Sequence, residues 1–541
     1  MPANLAQNPA EREPTHLLLF FALLALSCAF VLSLPVFPSQ DGPMHVYFVH
    51  ILGALISHAP SPYKSFFTIR SYIPPYSVYY YLLMLLMKLA PVALAERLMV
   101  CIIFVVQACG FRWLARALGP SAGLAALWSL PLLLNWPVAM GFQNFSLSLA
   151  LSMWALGIWW RMRTDPTPQR LALFLLTVLF VVTAHPVPLL FVLAVTGLDL
   201  LFRYLATRSL AALKLPIAGF CLACLGIPYV LHFSDKHRMA QNAGDSAARL
   251  DSLHRIIKLS TLGIFSGQSI GTYAYRIGLY LLFIAALAVG FRAMRARGLK
   301  PVAFTLAHPW LLIALGGAVI TCIAPSDMNG SHFFSDRLVL IPWLCALLAA
   351  AVHPRLALRQ QNILAALSAG TVLAVLWMAN DRIRPIANEQ AAARATPLNQ
   401  PPGATGLLLG GTLTQAEETM LQRVSYNAYA WQPAYKFDQA QAILLNPPWL
   451  DLPILPIAQQ PTDLDRRYSP QVLDSPGNML TVLATEPPAE RAPLLSRARF
   501  ILLSTRAEAA RAGLTPANGW TCSDLPPYLL CNQAPWPAHN P

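Results

Sequence analysis

The sequence predicts a mainly α-helical, polytopic membrane protein, with about eleven transmembrane helices and a small α/β domain, residues 381–541, outside the membrane. Three observations predict it. The 541 residues are 56% hydrophobic and only 11% charged, with a mean hydropathy of +0.51, whereas soluble domains carry about 25% charged residues. Apolar runs long enough to cross a hydrocarbon core recur between residues 17 and 380. After Asn380 the chain turns rich in Pro, Gln, Asp and Arg.

The expected spans are 17–35, 97–115, 121–139, 145–160, 170–186, 188–205, 213–231, 275–293, 305–324, 337–353 and 362–380. The first has no small-residue cleavage site and reads as a retained anchor. Basic residues fix the orientation, because cytoplasmic connectors collect Lys and Arg. If Tyr76–Ala90 lies at the outer interface rather than crossing, the pairs Arg112/Arg116, Arg161/Arg163 and Arg355/Arg359, and the clusters around Arg203 and Arg295, all fall inside. That reading puts the N-terminus in the cytoplasm and the C-terminal domain outside, in a multi-pass cell membrane of the bacterial inner-membrane type. It also assigns Tyr76, Tyr79, Tyr80 and Tyr81 to the water–lipid boundary. The net charge of +14 is therefore orientational, and nucleic-acid binding is excluded. The outer loops are 36–96, 232–274 and 325–336, with short turns at 140–145 and His185.

In the C-terminal domain, Leu407–Leu409, Ile443–Leu445, Met479–Leu483 and Phe500–Leu503 read as strands, and Gln415–Val424 and Ala507–Ala512 as helices. Of nine cysteines, seven (Cys28, Cys101, Cys109, Cys221, Cys224, Cys322 and Cys345) lie in apolar runs and read as small hydrophobes. Cys522 and Cys531 flank a Pro-Pro turn in the polar tail. A disulfide there suits an oxidising compartment.

Polar chemistry concentrates in the outer loops. Asp41, just past the first span, suits a general base, although Asp-Gly is also a common turn pair. His45 follows at the start of an apolar stretch. Lys64, Arg70 and Arg97 are cations that can meet a lipid phosphate, or simply be solvated or snorkelling charges. Gln143 and Asn144 sit in a turn between spans, His185 ends a span before Pro186, and His332, Asp336 and Arg337 precede the tenth span. No phosphate-cradling GxxxxGK[ST], HExxH or GxSxG motif occurs. The scattered outer acids define no metal site, no cofactor is expected, and divalent-metal dependence is left open. Mid-span charges are few, which argues against ion-coupled transport.

Taken in order, Asp41-Gly-Pro-Met-His45, Ile73-Pro-Pro-Tyr76, Glu96-Arg97-Leu98, Gly141-Phe-Gln143-Asn144-Phe145, Ala184-His185-Pro186 and Asp336-Arg337-Leu338 resemble the GT-C superfamily of membrane glycosyltransferases over roughly residues 15–380. The resemblance implies transfer of a sugar from a polyprenyl-phosphate carrier to a glycan, lipid or protein acceptor on the outer face, as in cell-envelope glycan biosynthesis. It places Asp41 at the acidic first-loop position and Arg97 at the Arg that opens the second span. The sequence departs from the family at two points. Gln40 stands where many relatives have a second acid, and Gln143-Asn144 where many have an Asp. A polytopic transporter or lipid flippase, and a non-catalytic assembly partner that keeps the fold, are the competing expectations.

Overall fold

The computed structural model describes residues 14–119, 121–229, 263–266, 270–296, 308–324, 334–353, 357–409, 420, 422–424, 426–429, 431–445, 457–459, 476–487, 495–503, 505–525 and 528–533. The first part is helical: α1 (Pro14–Ser33), α2 (Gly42–Ile56), α3 (Ser77–Leu89), α4 (Val92–Leu118), α5 (Ala122–Ser129), α6 (Trp136–Met140), α7 (Gln143–Arg161), α8 (Pro168–Ala184), α9 (Pro186–Thr207) and α10 (Lys214–Cys224). Then come α11 (Ile270–Ala296), α12 (Trp310–Ile323), α13 (Phe334–Leu338), α14 (Leu340–Ala351) and α15 (Leu358–Ala395). Among the described residues, six helical stretches are long and apolar enough to cross a membrane: His16–Ser33, Val92–Leu118, Ala122–Met140, Pro186–Thr207, Ile270–Ala296 and Arg359–Ala395. Every other expected span also coincides with a helix, though a shorter or less apolar one.

Several elements depart from expectation for local reasons. The span expected at 121–139 is broken into α5, a 3-10 turn at Leu130–Leu132 and α6. Pro131 and Pro137 each lack a backbone donor, and Asn135 restarts the helix by accepting from the Val138 N–H at 3.1 Å. Helix α3 has 13 residues, about 20 Å, too short to cross a core of about 30 Å. Its tyrosines do not line a boundary: Tyr79 and Tyr80 are buried, and only Tyr81 faces out. Helix α15 runs 38 residues, about 57 Å, carrying the chain past Asn380 without a break.

The C-terminal part adds β2 (Thr405–Leu408), α16 (Ala434–Gln439), β3 (Ile443–Leu444), β4 (Ile457–Gln459), α17 (Pro476–Thr485), β5 (Phe500–Leu503), α18 (Arg506–Arg511), β6 (Trp520–Leu525) and β7 (Tyr528–Gln533). A mixed five-stranded sheet has the order β3-β2-β5-β7-β6. Its β3, β2 and β5 are parallel, and its β5, β7 and β6 antiparallel. Cys522 and Cys531 are directly opposite across β6 and β7 and form a disulfide. Met479–Leu483, expected as a strand, is helical in α17. Met479, Leu480 and Leu483 are all buried, a spacing that puts them on one helix face. Of the helix expected at Gln415–Val424, the described part includes Val424 in an antiparallel bridge to Phe265.

Two features dock this domain onto the first loop. Strand β1 (Phe67–Ile69) pairs antiparallel with β4, Thr68 opposite Ala458. On α2, the Tyr47 hydroxyl donates to the Ala442 carbonyl and accepts from the Leu444 N–H, satisfying the otherwise open edge of β3. One apolar core therefore runs from Tyr47, Phe48 and Tyr80 of the loop helices to Ile443, Leu444 and Phe500 of the sheet.

Candidate active site

The Asp41 site is built where the loop after α1 meets the turn before α7. The Gln40 N–H donates to the Ala139 carbonyl at 3.1 Å and the Asp41 N–H to that of Met140 at 3.0 Å. This approach requires glycine at 141. Its φ is +88°, and a Cβ there would stand 2.8 Å from the Asp41 nitrogen. Gly42 is less constrained: a Cβ there would stand 2.2 Å from Ser39 Oγ, a side-chain end that can turn away, and 3.4 Å from Glu96 Oε1.

Asp41 is 5% exposed, and its Oδ1 has no hydrogen-bond partner. Burial pushes its carboxyl up to about 7, against the opposing pull of the Arg337 guanidinium and the Gln40 amide. An acid held there exchanges a proton near neutral pH.

Apart from Arg337, the neighbours of Asp41 are neutral donors and acceptors. His45 Nε2 lies 3.1 Å from the Gly141 carbonyl, which can only accept, so Nε2 carries the proton. Its Nδ1 then accepts from the Tyr80 hydroxyl at 2.9 Å. Burial lowers His45 to about 4, partly offset by the Gly141 bond, so the ring stays neutral. Tyr79 donates to Gln143 Oε1 at 2.7 Å. Tyr76 opens α3 with φ +77°, a left-handed conformation costly for a non-glycine residue. That turn carries its ring onto His185, stacked at 5.1 Å between centroids.

His185 joins α8 to α9, with the Val187 N–H 3.2 Å from its Nδ1. Its Nε2 lies 3.3 Å from the Tyr76 oxygen and 3.2 Å from Arg337 Nη1. A neutral imidazole has one lone pair, so its tautomer decides whether the ring accepts from the Val187 N–H or from Arg337. Burial, then the Arg337 charge, hold His185 well below its ordinary value. The guanidinium lies 3.8 Å over the Phe142 ring, a cation–π contact that fixes its plane. Burial raises the Tyr76 hydroxyl above its ordinary value, against the opposing pull of the Arg337 charge.

The structure thus brings together Asp41, His45, Gln143, Asn144, His185 and Arg337. Asp336 is buried beside Arg337 in α13. Three anticipated cations serve elsewhere. Arg97 donates to the carbonyls of Ala93, Leu32 and Leu34, tying α4 to the end of α1. Lys64 closes the turn after α2 on the carbonyls of Ser57, at 2.6 Å, and Ala59, at 2.8 Å. Arg70 lies over the Tyr72 ring at 6.0 Å. His332 and most of loop 232–274 lie outside the described residues.

Sequence reasoning passed over the inward tyrosines of α3, whose run of three suggests a boundary and whose positive-φ start is visible only in three dimensions. It also named Glu96 only within the Glu96-Arg97-Leu98 run and gave it no role of its own. Glu96 is buried, pairs with Arg394 at 3.1 Å and accepts from the Tyr435 hydroxyl. Among the described residues no group of three or more His, Cys, Asp or Glu could hold a metal ion.

No protein-family model matches the chain, and no curated protein matches it. Among solved structures, the crystal structure of ArnT from Cupriavidus metallidurans in the apo state aligns over 96% of this chain and 98% of its own length, at 13% identity and a TM-score of 0.49. At that distance no residue role transfers from one chain to the other.

Proposed function

We propose that the protein is a GT-C-type membrane glycosyltransferase that moves a sugar from a polyprenyl-phosphate carrier to an acceptor hydroxyl, with inversion at the anomeric carbon. The single observation that supports this most is Asp41: a buried carboxylate at the end of the first span, with one oxygen unpartnered and a guanidinium nearby. In the proposed step the acceptor oxygen attacks the anomeric carbon as the carbon–phosphate oxygen bond breaks. The acceptor proton goes to Asp41, and the electron pair leaves on the polyprenyl phosphate. Arg337 offsets the charge that grows on that phosphate. Neutral His45 and His185, with the tyrosines of α3, shape the site and keep water from the anomeric carbon. The site faces the outside, with the N-terminus cytoplasmic and the C-terminal domain extracytoplasmic in a bacterial inner membrane.

The test is turnover of radiolabelled polyprenyl-phosphate sugars by the purified protein in lipid nanodiscs, across a panel of donors. Transfer or donor hydrolysis that Asp41→Asn abolishes is the expected result. Donor binding without turnover in the presence of acceptors would replace this reading with the non-catalytic assembly partner. No donor binding would replace it with the transporter or flippase.

A further inference from the structure

Two polar contacts on one face of α2 hold the C-terminal domain. Tyr47 closes the edge of β3. Three residues on, and so on the same helix face, His50 Nδ1 is in ion-pair contact with Asp438 Oδ1 of α16. The carboxylate is 7% exposed and the imidazole 40%. Among the described residues His50 is the one cation in ion-pair contact with Asp438. A buried carboxylate whose cation is neutralised keeps the penalty of desolvation and loses the attraction that offsets it. Imidazole is the side chain whose charge changes near neutral pH.

We propose that the His50–Asp438 pair is a proton-operated latch, which fastens the C-terminal domain to α2 while the imidazole is charged and slackens when it is neutral. The latch goes beyond sugar transfer and does not depend on it. Burial works against the charged imidazole, but the Asp438 carboxylate outweighs it and holds His50 above its ordinary value. Burial also raises Asp438, against the pull of His50 and Arg394. Both shifts have the same sign, so the docked chain holds these protons more tightly than the undocked one. The contribution of His50 is complete below the ordinary value of about 6.5 and is lost as pH rises through the higher docked value. The surrounding groups are few. Arg394 of α15, Tyr47 of α2 and Tyr63 of the turn after it act on Asp438. Lys436 of α16 is tied to the carbonyls of Ala393 and Thr396, and burial lowers it to about 8. Tyr80 of α3 and Glu96 of α4 meet α2 at its other end, at His45 and Gly42. Strands β1 and β4, which also pack on α2, carry no titratable side chain.

The experiment reads the proton and the docking separately, in the full-length protein in nanodiscs. Diethyl pyrocarbonate acylates neutral imidazole, and its labelling of His50 is followed by mass spectrometry against pH. Docking is followed by hydrogen exchange at Leu444, whose N–H bonds Tyr47, corrected for the intrinsic pH dependence of exchange. The wild-type labelling midpoint is expected above about 6.5, and Asp438→Asn is expected to lower it. Corrected exchange at Leu444 is expected to quicken about three- to tenfold from pH 6 to pH 8 in the wild type. In His50→Gln, which keeps a donor but no charge, that response is expected to shrink by the same factor. Asp41 and Lys436 titrate in both proteins, so the comparison cancels them. A wild-type midpoint at or below about 6.5 overturns the latch without any variant. A midpoint that Asp438→Asn leaves in place overturns it too, as does a pH response at Leu444 that is equal in wild type and His50→Gln.

Discussion

Tyr47 and Leu444, 397 residues apart, are joined by a hydrogen bond of 2.9 Å from the Leu444 N–H to the tyrosine hydroxyl. The same hydroxyl donates to the Ala442 carbonyl at 3.1 Å. Helix α2, which Asp41 precedes, thereby closes the edge of the C-terminal sheet. Tyr47→Phe leaves one donor and one acceptor of β3 buried without a partner, at a cost of about 2–4 kcal/mol. Limited proteolysis is expected to cut the C-terminal domain faster, with the helical part retained. An unchanged cleavage rate would show that the pair adds nothing to docking.

Gly141→Ala tests the approach of the two turns. The substitution forces a side chain into φ +88° and against the Asp41 backbone, costing at least 1–2 kcal/mol for the backbone alone. Donor turnover is expected to fall at least about tenfold, a loss of about 1.4 kcal/mol in transition-state stabilisation. Gly316→Ala is the control, because a Cβ there meets nothing within 4 Å.

Asp41 makes stability pH-dependent in a stated direction. Its folded value of about 7 stands above the unfolded value of about 3.9, so the folded chain holds this proton more tightly. The stability it contributes is complete below about pH 4 and lost as pH rises through 7. Asp41→Asn is neutral throughout. It is expected to match wild type near pH 4 and to exceed it at pH 8, by up to about 4 kcal/mol. Thermal unfolding of both proteins at the two pH values checks this, and a difference independent of pH would refute it.

Turnover by the wild type is expected to rise about tenfold per pH unit up to pH 7 and then level, as the base deprotonates. Arg337→Gln removes the charge that opposes the upward shift of Asp41, so the rise moves to higher pH. It is also expected to weaken binding of polyprenyl phosphate about 10–100-fold, the usual cost of a lost charged hydrogen bond. Titration calorimetry with the carrier lipid at pH 9 separates the second effect from the first.

The membrane part was largely legible in the sequence, because apolar run length is a direct consequence of bilayer thickness. Each of the eleven expected runs coincides with helix. Prolines 131 and 137 carried the warning that one of them is interrupted. Met479–Leu483 misled because a short apolar run has no period of its own, and its burial at 479, 480 and 483 is a tertiary fact. At the site, His45, Gln143, Asn144, His185 and Arg337 were legible as polar residues in apolar surroundings. Arg97 was equally conspicuous, yet its carbonyl partners at Leu32 and Leu34 depend on how α1 ends beside α4. Glu96 was hidden because its partners, Arg394 and Tyr435, lie about 300 and 340 positions downstream.

That separation has a consequence for biosynthesis. The first loop emerges early, but Gln40 waits for Asn427, Glu96 for Tyr435, Tyr47 for Leu444 and β1 for β4. Helices insert as they are made, whereas these contacts exist only when translation is nearly finished. A nascent chain therefore resides in the bilayer with its first loop held by the membrane part alone, and the contacts to the C-terminal sheet form last. A stop between the end of α15, at Ala395, and the mid-440s would yield a chain with every helix of the membrane part but without Leu444 to receive Tyr47.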